Sequence, residues 1–386
     1  MTAVNAVHFI PWCPLEQEYE VGEISLVPFD RTARNEQFNL PELRRVLSIL
    51  GSYRDLKGQP TRLLTLVKYR DTPIFADISS DDFQIARELV ELTCFSAISN
   101  RTYLSFGEYC NASNFIFYGQ RFALDSEDSG YAAITSRRRD GQRSDLRSFS
   151  NTVFSIPVQA SRNEPVAIDE QFLQSLVAFR KTGDSRVWSS WQNAIECFNL
   201  ANTDADNISY QVEWTLLCGA FERILEADSK AVDVANKFSQ VFRPLIPLAI
   251  SQATRKSDRW KAPNNPLSFE WMREFYSVRG DFAHGKLRTG QPLAWHPKEH
   301  LLLATIAFPL VAKCLLALAG KYSLTRNAQA EINAFECLAD SPFLTEPPDS
   351  KGSMDSWWVR CLQDAKREDR VQRAVEYWGK NVKNGT

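Results

Sequence analysis

Residues 301 to 320, LLLATIAFPLVAKCLLALAG, are apolar at almost every position, and this run constrains the possible folds more than any other. A helix of this length could cross a lipid bilayer. Pro309 and Lys313 lie near its middle, however, and a central lysine costs about 2.5–3.5 kcal/mol on membrane-insertion scales. A helix that is apolar on all sides can equally form the centre of a soluble helical bundle. We therefore expect a protein outside the membrane and keep the membrane span as the alternative.

The overall composition is that of a soluble globular protein. The 386 residues are enough for two to three domains, and 44% of them are hydrophobic while 24% are charged. The formal net charge is only −2. This balance argues against binding nucleic acid through a generally basic surface, although it leaves room for a local basic patch.

The eight cysteines are irregularly spaced and include no Cys-x-x-Cys pair. Neither a zinc site nor a disulfide framework is therefore indicated, and reduced thiols predict a cytoplasmic protein. The N-terminal residues lack a basic segment followed by a long apolar run, so they do not predict a signal peptide. The sequence contains no phosphate-cradling glycine loop, nucleophile elbow or kinase signature, and we expect no cofactor.

The character of the sequence changes near residue 166. Residues 1–165 contain short segments rich in β-branched and aromatic residues, separated by turn residues, and one helical segment near residues 80–99. They predict an α+β domain that serves as a sensor or recruits the substrate. Residues 166–322 contain successive amphipathic segments and end in the apolar run, which predicts an all-α bundle of about five or six helices. Residues 323–386 predict a linker and a C-terminal helical extension.

The segment FYSVRGDFAHGK, residues 275–286, carries the candidate site. At about 100° per residue, one narrow sector of this helix holds a stripe that we expect to be buried, with Arg279 on its shoulder. The stripe is formed by Trp271, Phe275, Val278 and Phe282. Ala283, Tyr276 and Gly280 follow round the helix, and then His284. Gly280 would let a backbone or a phosphate approach, and Gly285 is well placed to end the helix.

An arginine and a histidine placed in this way suit attack on a phosphodiester. Arg279 would stay charged and could bind two oxygens of the phosphate, while His284 could accept and donate protons near neutral pH. In RNA the nucleophile is the 2′-hydroxyl of the substrate itself, so this chemistry requires no metal. Two copies meeting at a twofold axis would supply two cations and two proton carriers. The simpler interpretation of the same spacing is a helix cap and a surface ion pair.

The segment resembles the signature of HEPN domains, helical bundles in which an arginine is followed after a few residues by a histidine. It is most similar to the ApeA-like group, whose pattern is Tyr, two residues, Arg-Ser-Lys, an apolar residue, any residue and His-Gly. Tyr276, Arg279, His284 and Gly285 match this pattern, and Phe282 takes the apolar place.

A second segment extends the resemblance. The run LLCGAFERILEA is similar to an earlier helix of the ApeA-like group, and Glu222 takes the place of its acidic residue. The resemblance covers about residues 166–322, and the apolar run 301–320 is the helix that such a bundle expects after the motif.

This resemblance implies a metal-independent endoribonuclease that acts on RNA as a homodimer with a composite active site. Arg279 would bind the scissile phosphate and His284 would transfer protons. Many HEPN proteins act in phage defence or as toxins, so the implied partners also include a phage-derived trigger or an antitoxin.

One departure from the family pattern supports an alternative function. The position after the arginine is commonly polar in HEPN proteins, but here it is Gly280, and Asp281 points about 100° away. The alternative is a HEPN-like module without catalytic activity that dimerises and binds a ligand or nucleic acid.

Two further groups of residues are candidate ligand sites. His296 and His300 lie four residues apart, a spacing that can hold a metal, but no third ligand is evident and packing at a helix start is favoured. The segment SRRRDGQRSDLR could contact phosphates, although a solvated hairpin or loop is the favoured interpretation. Its candidate phosphate contacts are Arg137, Arg138, Arg139 and Arg143.

Overall fold

The structure of the chain is a computed structural model. It describes residues 5–33, 39–101, 109–122, 124, 134–137, 143–146, 153–157, 165–245, 247–283 and 292–341. For residues 134–137 and 143–146, and for Asp281 and Ala283, it describes the backbone alone.

The described residues form strands in the first half of the chain and helices throughout. The strands are β1 Asn5–Ile10, β2 Tyr19–Val21, β3 Ile24–Asp30, β4 Tyr53–Arg54, β5 Leu63–Tyr69, β6 Tyr118–Phe122, β7 Ile134–Arg137, β8 Arg143–Leu146 and β9 Phe154–Ser155. The α-helices are α1 Leu40–Leu50, α2 Ser80–Ser99, α3 Glu170–Thr182, α4 Ser185–Ala201, α5 Tyr210–Ile224, α6 Ala231–Val241, α7 Leu267–Ala283, α8 Pro297–Leu318 and α9 Arg326–Asp340.

The chain divides into two compact units. The first contains the described residues up to Arg101 together with those of 110–177 and 202–206. The second contains Tyr109, the described residues of 178–201 and all described residues from Asn207 onward. One division between the units falls within α3, between Val177 and Ala178. The change in composition predicts a boundary about twelve residues earlier, at residue 165.

The first unit is built on an antiparallel sheet of five strands in the order β2-β3-β5-β1-β6. Phe9 of β1 lies opposite Leu66 of β5 and Tyr118 of β6, which fixes the register on both sides of this interior strand. The ring of Phe9 meets that of Tyr53 edge-on at 4.8 Å. Val46 of α1 is fully buried in the same hydrophobic cluster, so sheet and helix share one core.

The second unit is a bundle formed by α4 to α9, with α8 at its centre. Helix α8 packs against α5, α6 and α9. The ring of Phe308 on α8 stacks on Phe198 of α4 at 4.8 Å and meets Phe221 of α5 edge-on at 5.3 Å. These contacts explain why the run 301–320 is apolar on all sides, since neighbouring helices cover it in several directions.

Helix α8 is also the one described helix that is long and apolar enough to cross a membrane. Its most apolar window is 72% buried inside the protein, as in the core helix of a soluble bundle. Length and composition alone are weak grounds for a membrane span, because buried core helices pass the same test.

Helix α9 joins this bundle through a buried carboxylate. Glu336 accepts hydrogen bonds from Oγ of Ser268 at 2.7 Å and from the backbone N–H of Ser268 at 3.3 Å. Ser268 lies in the first turn of α7, where backbone N–H groups have no partner within the helix. Glu336 accepts the hydrogen bond of one of these groups. Burial, together with the nearby charge of Asp340, raises the pKa of Glu336 to about 7, although the hydrogen bonds from Ser268 act in the opposite direction.

This raised pKa predicts a pH-dependent stability that Glu336→Gln should remove. The folded protein keeps the carboxyl proton up to about pH 7, whereas the unfolded chain releases it near the ordinary pKa of 4.5. The free energy of unfolding should therefore fall as the pH rises through this interval, by up to about 3 kcal/mol. Urea unfolding followed by tryptophan fluorescence at about pH 5 and about pH 8 measures the difference. The exposed Glu196→Gln is the control, and an identical pH response in wild type and Glu336→Gln would contradict the prediction.

The structure confirms an α+β region followed by a helical region. Helix α9 extends the helical part beyond residue 322, to Asp340. The remainder of the predicted C-terminal extension, from residue 342 onward, lies outside the described residues.

Candidate active site

Helix α7 is held in the bundle by the stripe that the sequence predicts. Trp271, Phe275 and Val278 are 0%, 0% and 3% exposed, whereas Phe282, the fourth residue of the predicted stripe, is only partly buried. Trp214 of α5 stacks on Phe275 at 5.1 Å and donates a hydrogen bond from Nε1 to the Phe275 carbonyl at 2.8 Å. This contact fixes the position of α7 relative to α5, one turn before Arg279.

Arg279 lies at the shoulder of this stripe and is bound to α5. Its Nη1 donates to Oε2 of Glu222 at 2.5 Å and contacts Oη of Tyr276 at 2.5 Å. Tyr276 in turn donates its hydroxyl proton to the same Glu222 oxygen at 2.6 Å, and its ring lies 5.3 Å from the Arg279 guanidinium carbon. Ser229 donates to the other oxygen of Glu222 at 3.1 Å.

Each of Glu222, Arg279 and Tyr276 shifts the pKa values of the other two. Burial raises the pKa of Glu222, but the hydrogen bond from Tyr276 and the charge of Arg279 outweigh it, and the pKa is lowered overall. Burial lowers the pKa of Arg279, while Tyr276 and Glu222 raise it to a larger total extent. The pKa of Tyr276 is raised, first by burial and then by its hydrogen bond to Glu222. Arg279 is therefore a permanent cation beside an ionised carboxylate.

The guanidinium keeps part of its surface accessible. The side chain of Arg279 is 32% exposed, and that of Glu222 is 24% exposed. Within the described residues, the hydrogen bonds of Arg279 all use Nη1. One nitrogen of the planar group thus anchors the side chain while the group as a whole still faces solvent. Such an arrangement orients an arginine for an incoming oxyanion.

Gly280 lies in open space. It is exposed, and a Cβ atom built on it would meet nothing within 4 Å. Among the described residues, no neighbouring backbone therefore requires a glycine at this helical position. The described residues thus leave the space beside Gly280 free, and the position supplies no polar side chain.

The remaining predicted site residues lie partly or wholly outside the described residues. The backbone of Asp281 belongs to α7, but its side chain is not described, and His284 and Gly285 follow the last described residue of that helix. Arg138 and Arg139 also lie outside the described residues.

The backbones of Arg137 and Arg143 form part of the β7–β8 hairpin, where the two residues are register partners. The arginine-rich segment thus contains a β-hairpin. This backbone arrangement agrees with the hairpin interpretation that the sequence favours.

The two other histidines near the motif have structural roles. His296 is the N-cap of α8 and accepts a hydrogen bond from the Lys298 N–H at 3.3 Å. His300 is fully buried, and its Nε2 lies 3.1 Å from Oε1 of Glu274. Burial lowers the pKa of His300 despite this carboxylate, so the neutral imidazole donates from Nε2. His300 therefore faces the core.

Glu274 also holds the chain where it re-enters the described structure before α8. Its carboxylate accepts hydrogen bonds from the N–H groups of Ala294 at 2.9 Å and Trp295 at 3.3 Å. Arg255 donates to the carbonyl of Ala294 at 2.7 Å and pairs with Glu299 at 2.9 Å. Both polar groups of the Ala294 backbone are thus bound, which fixes the point from which the chain enters α8.

The described residues contain no group of three or more His, Cys, Asp or Glu side chains that could hold a metal ion. Cys218, which lies near Arg279 and Glu222, is completely buried, and burial raises its pKa well above the ordinary value. The chemistry available at the end of α7 is therefore that of a fixed guanidinium, an ionised carboxylate and a tyrosine hydroxyl.

The comparisons with known proteins add no assignment: no family model, no curated protein and no solved structure matches the chain.

The binding of Arg279 by Glu222 could be inferred from the sequence only through the resemblance. A pattern nevertheless points to Glu222, because it continues the series Trp214, Cys218 at a spacing of four residues. Trp214 and Cys218 are both completely buried. A carboxylate that extends a buried helical stripe needs a cationic or hydrogen-bonding partner from the neighbouring helix. The role of Glu274 carries no comparable signal, since its partners are backbone groups twenty residues away.

Proposed function

We propose that this chain is a metal-independent endoribonuclease with a HEPN-like bundle, in which the 2′-hydroxyl of RNA attacks the neighbouring phosphodiester. The observation that carries the proposal is Arg279, a partly exposed cation that Glu222 and Tyr276 hold through a single nitrogen. His284 follows five residues later, next to the end of α7. The place of this pair before the buried helix α8 agrees with the order of elements that the resemblance implies.

In the proposed reaction, the Arg279 guanidinium binds a non-bridging oxygen of the scissile phosphate and stabilises the negative charge of the transition state. Glu222 and Tyr276 act as positioning residues, because they limit the rotation of a long side chain before the substrate arrives. His284 accepts the proton of the 2′-hydroxyl or donates one to the leaving 5′-oxygen. A homodimer would bring a second Arg279 and His284 to the same phosphate, so that one histidine acts as base and the other as acid.

The biological setting is proposed on the same basis. HEPN-like ribonucleases of this kind fit a cytoplasmic role in phage defence by abortive infection, or in a toxin-like system. The α+β unit would then sense a phage-derived trigger, recruit the RNA or bind an antitoxin.

The proposal predicts a particular dependence on metal and substrate. The purified protein should cleave single-stranded RNA in the presence of EDTA, leave 2′,3′-cyclic phosphate ends and spare DNA. A single 2′-deoxy substitution at the cleaved nucleotide should stop cleavage at that bond, because it removes the nucleophile. Gel analysis of end-labelled RNA with and without phosphatase treatment identifies the ends. Cleavage that requires Mg²⁺, or that leaves 3′-hydroxyl ends, would contradict the proposed mechanism.

A second candidate function is a HEPN-like dimerisation module that binds a ligand or nucleic acid without cleaving it. The exposed Gly280 favours it, since this position supplies no polar group beside Arg279. The Glu222 carboxylate also offsets much of the positive charge of Arg279. RNA binding that Arg279→Ala weakens, together with intact RNA after prolonged incubation with candidate triggers, would favour this function over the enzyme.

A further inference from the structure

The segment that precedes α7 concentrates positive charge around an aromatic residue. The run RKSDRWK, residues 255–261, holds four basic residues, one acidic residue and a tryptophan, although the formal net charge of the whole chain is −2. Basic residues close to an aromatic side chain are typical of surfaces that bind single-stranded nucleic acid. The contacts of this run show which of its residues are structural and which are available to a ligand.

Arg255 belongs to the support of the segment. Its side chain is 9% exposed, pairs with Glu299 at 2.9 Å and lies 5.7 Å from the centre of the Trp295 ring. Trp295 is fully buried and donates a hydrogen bond from Nε1 to the Ala339 carbonyl at 2.8 Å. The ring of Trp260 packs on that of Trp295, with centroids 5.6 Å apart, so the indole of Trp260 lies on a fixed surface.

A hydrogen-bonded turn fixes the backbone around Trp260. The N–H of Trp260 donates to the Ser257 carbonyl at 3.2 Å, and the N–H of Arg259 donates to Oγ of Ser257 at 3.3 Å. On α7, Nη2 of Arg273 donates to the Arg259 carbonyl at 3.1 Å and pairs with the buried Glu270 at 2.6 Å. The turn is therefore attached to α7, and Trp260 is held both through its ring and through its backbone.

Two exposed lysines flank this turn. Lys256 and Lys261 come directly before and after residues 257–260, whose ends are joined by the hydrogen bond between Ser257 and Trp260. Both lysines are exposed, and neither forms an ion pair with a residue that the structure describes. Trp260 is partly exposed between them. Lys256, Trp260 and Lys261 form what we call the basic turn.

A ligand that fits the basic turn carries repeated negative charges close to a flat ring. Single-stranded RNA has both, since its phosphates can bind the lysines while an unpaired base stacks on the indole. A duplex offers the phosphates, but its base faces are covered by neighbouring bases. An acidic peptide offers charge without a base and would leave the tryptophan without a role.

We propose that the basic turn is an RNA-binding surface, on which Lys256 and Lys261 bind phosphates and Trp260 stacks on an unpaired base. This inference rests on the proposed function in its choice of RNA as the ligand. Arg273, which holds the turn, lies six residues before Arg279, a rise of about 9 Å and a rotation of about 120° on α7. The basic turn would therefore bind a part of the RNA other than the scissile phosphate, and it would act on affinity rather than on the chemical step.

The test uses the full chain and a fluorescein-labelled single-stranded 2′-O-methyl oligonucleotide, so that binding is measured without cleavage. Trp260→Ala should raise the Kd from fluorescence anisotropy by about 5- to 150-fold, the equivalent of losing one base–aromatic stack. Trp260→Phe keeps a ring and should bind within about fivefold of wild type. Urea unfolding midpoints of both variants show whether the fold is retained.

The lysines are tested through the salt dependence of binding. Replacing Lys256 and Lys261 together by Ala should reduce the slope of log Kd against log salt concentration by about 1.4, because each phosphate contact to a single strand contributes about 0.7. The matched control replaces Lys230 and Lys321 by Ala, two exposed lysines elsewhere in the helical unit. This control removes the same charge and should leave the Kd and its salt dependence unchanged.

The outcomes separate this inference from the proposed function. If the wild type does not bind the oligonucleotide, or if Trp260→Ala or the Lys256 and Lys261 variant binds like wild type, the RNA-binding surface is wrong even where unmodified RNA is cleaved. Equal affinity for duplex RNA, or for a glutamate peptide of the same charge, would indicate a general polyanion contact and would also overturn it. If both variants lose affinity while the wild type leaves unmodified RNA intact, the surface stands and the endoribonuclease proposal fails.

Discussion

His284→Ala is expected to reduce the rate of RNA cleavage by a factor on the order of 10² to 10⁴, the usual contribution of a general acid or base. Arg279→Ala should reduce it by a factor on the order of 10² to 10³, because the transition state then loses its fixed cation. Arg279→Lys should recover only a small part of this loss. A lysine keeps the charge, but it cannot bind Glu222 and the phosphate through different nitrogens of one planar group.

Two matched variants serve as controls for this result. His296→Asn replaces an exposed histidine by another good N-cap residue, and Arg223→Ala removes an exposed arginine next to Glu222 on α5. Both should cleave RNA at the wild-type rate. Initial rates with labelled RNA in EDTA, together with urea unfolding midpoints, separate loss of chemistry from loss of fold. Wild-type cleavage by His284→Ala would exclude the assigned mechanism.

Glu274→Ala is expected to lower the free energy of unfolding of the helical unit by about 3–5 kcal/mol. The carboxylate is 6% exposed, and it binds the buried His300 and two backbone N–H groups of the chain before α8. Its pKa is lowered, since His300 and the N–H groups outweigh the effect of burial. Removing it leaves several buried donors without a partner, and each such group carries its full desolvation cost.

Urea unfolding followed by tryptophan fluorescence measures this effect. Glu196→Ala, a change at an exposed position of α4, should alter the free energy of unfolding by less than about 0.5 kcal/mol. Glu274→Gln keeps one acceptor oxygen, so its loss in free energy of unfolding should lie between those of Glu196→Ala and Glu274→Ala. A loss below about 1 kcal/mol for Glu274→Ala would show that His300 and residues 294–295 do not depend on this carboxylate.

Extended patterns of apolar residues made part of the fold predictable from the sequence. The long apolar run predicted the central helix α8, and the spacing of apolar residues near residues 80–99 predicted α2, whose bounds are Ser80–Ser99. Strand β1 was not predicted, although it pairs with both β5 and β6. Its six residues are almost all buried, so they lack the alternation of polar and apolar residues that marks a half-exposed strand.

The sequence predicts where Arg279 lies on α7 but not the contacts that its side chain makes. The stripe of α7 placed Arg279 on its shoulder, as the structure shows by burying Trp271, Phe275 and Val278. The pairing of Arg279 with Glu222 joins residues 57 positions apart in the sequence. Such a contact depends on how α5 crosses α7, and helix crossing is set by side-chain packing that helical periodicity does not describe.

The central position of α8 has a consequence for folding during synthesis on the ribosome. Helix α4 begins at Ser185 and lies early in the helical unit. Phe198 of α4 and Phe221 of α5 can contact Phe308 only after α8 has been synthesised. At typical elongation rates this leaves apolar faces of the nascent chain uncovered for on the order of ten seconds. We therefore expect the helical unit to fold late and to need chaperones that protect α4 to α7 until α8 emerges.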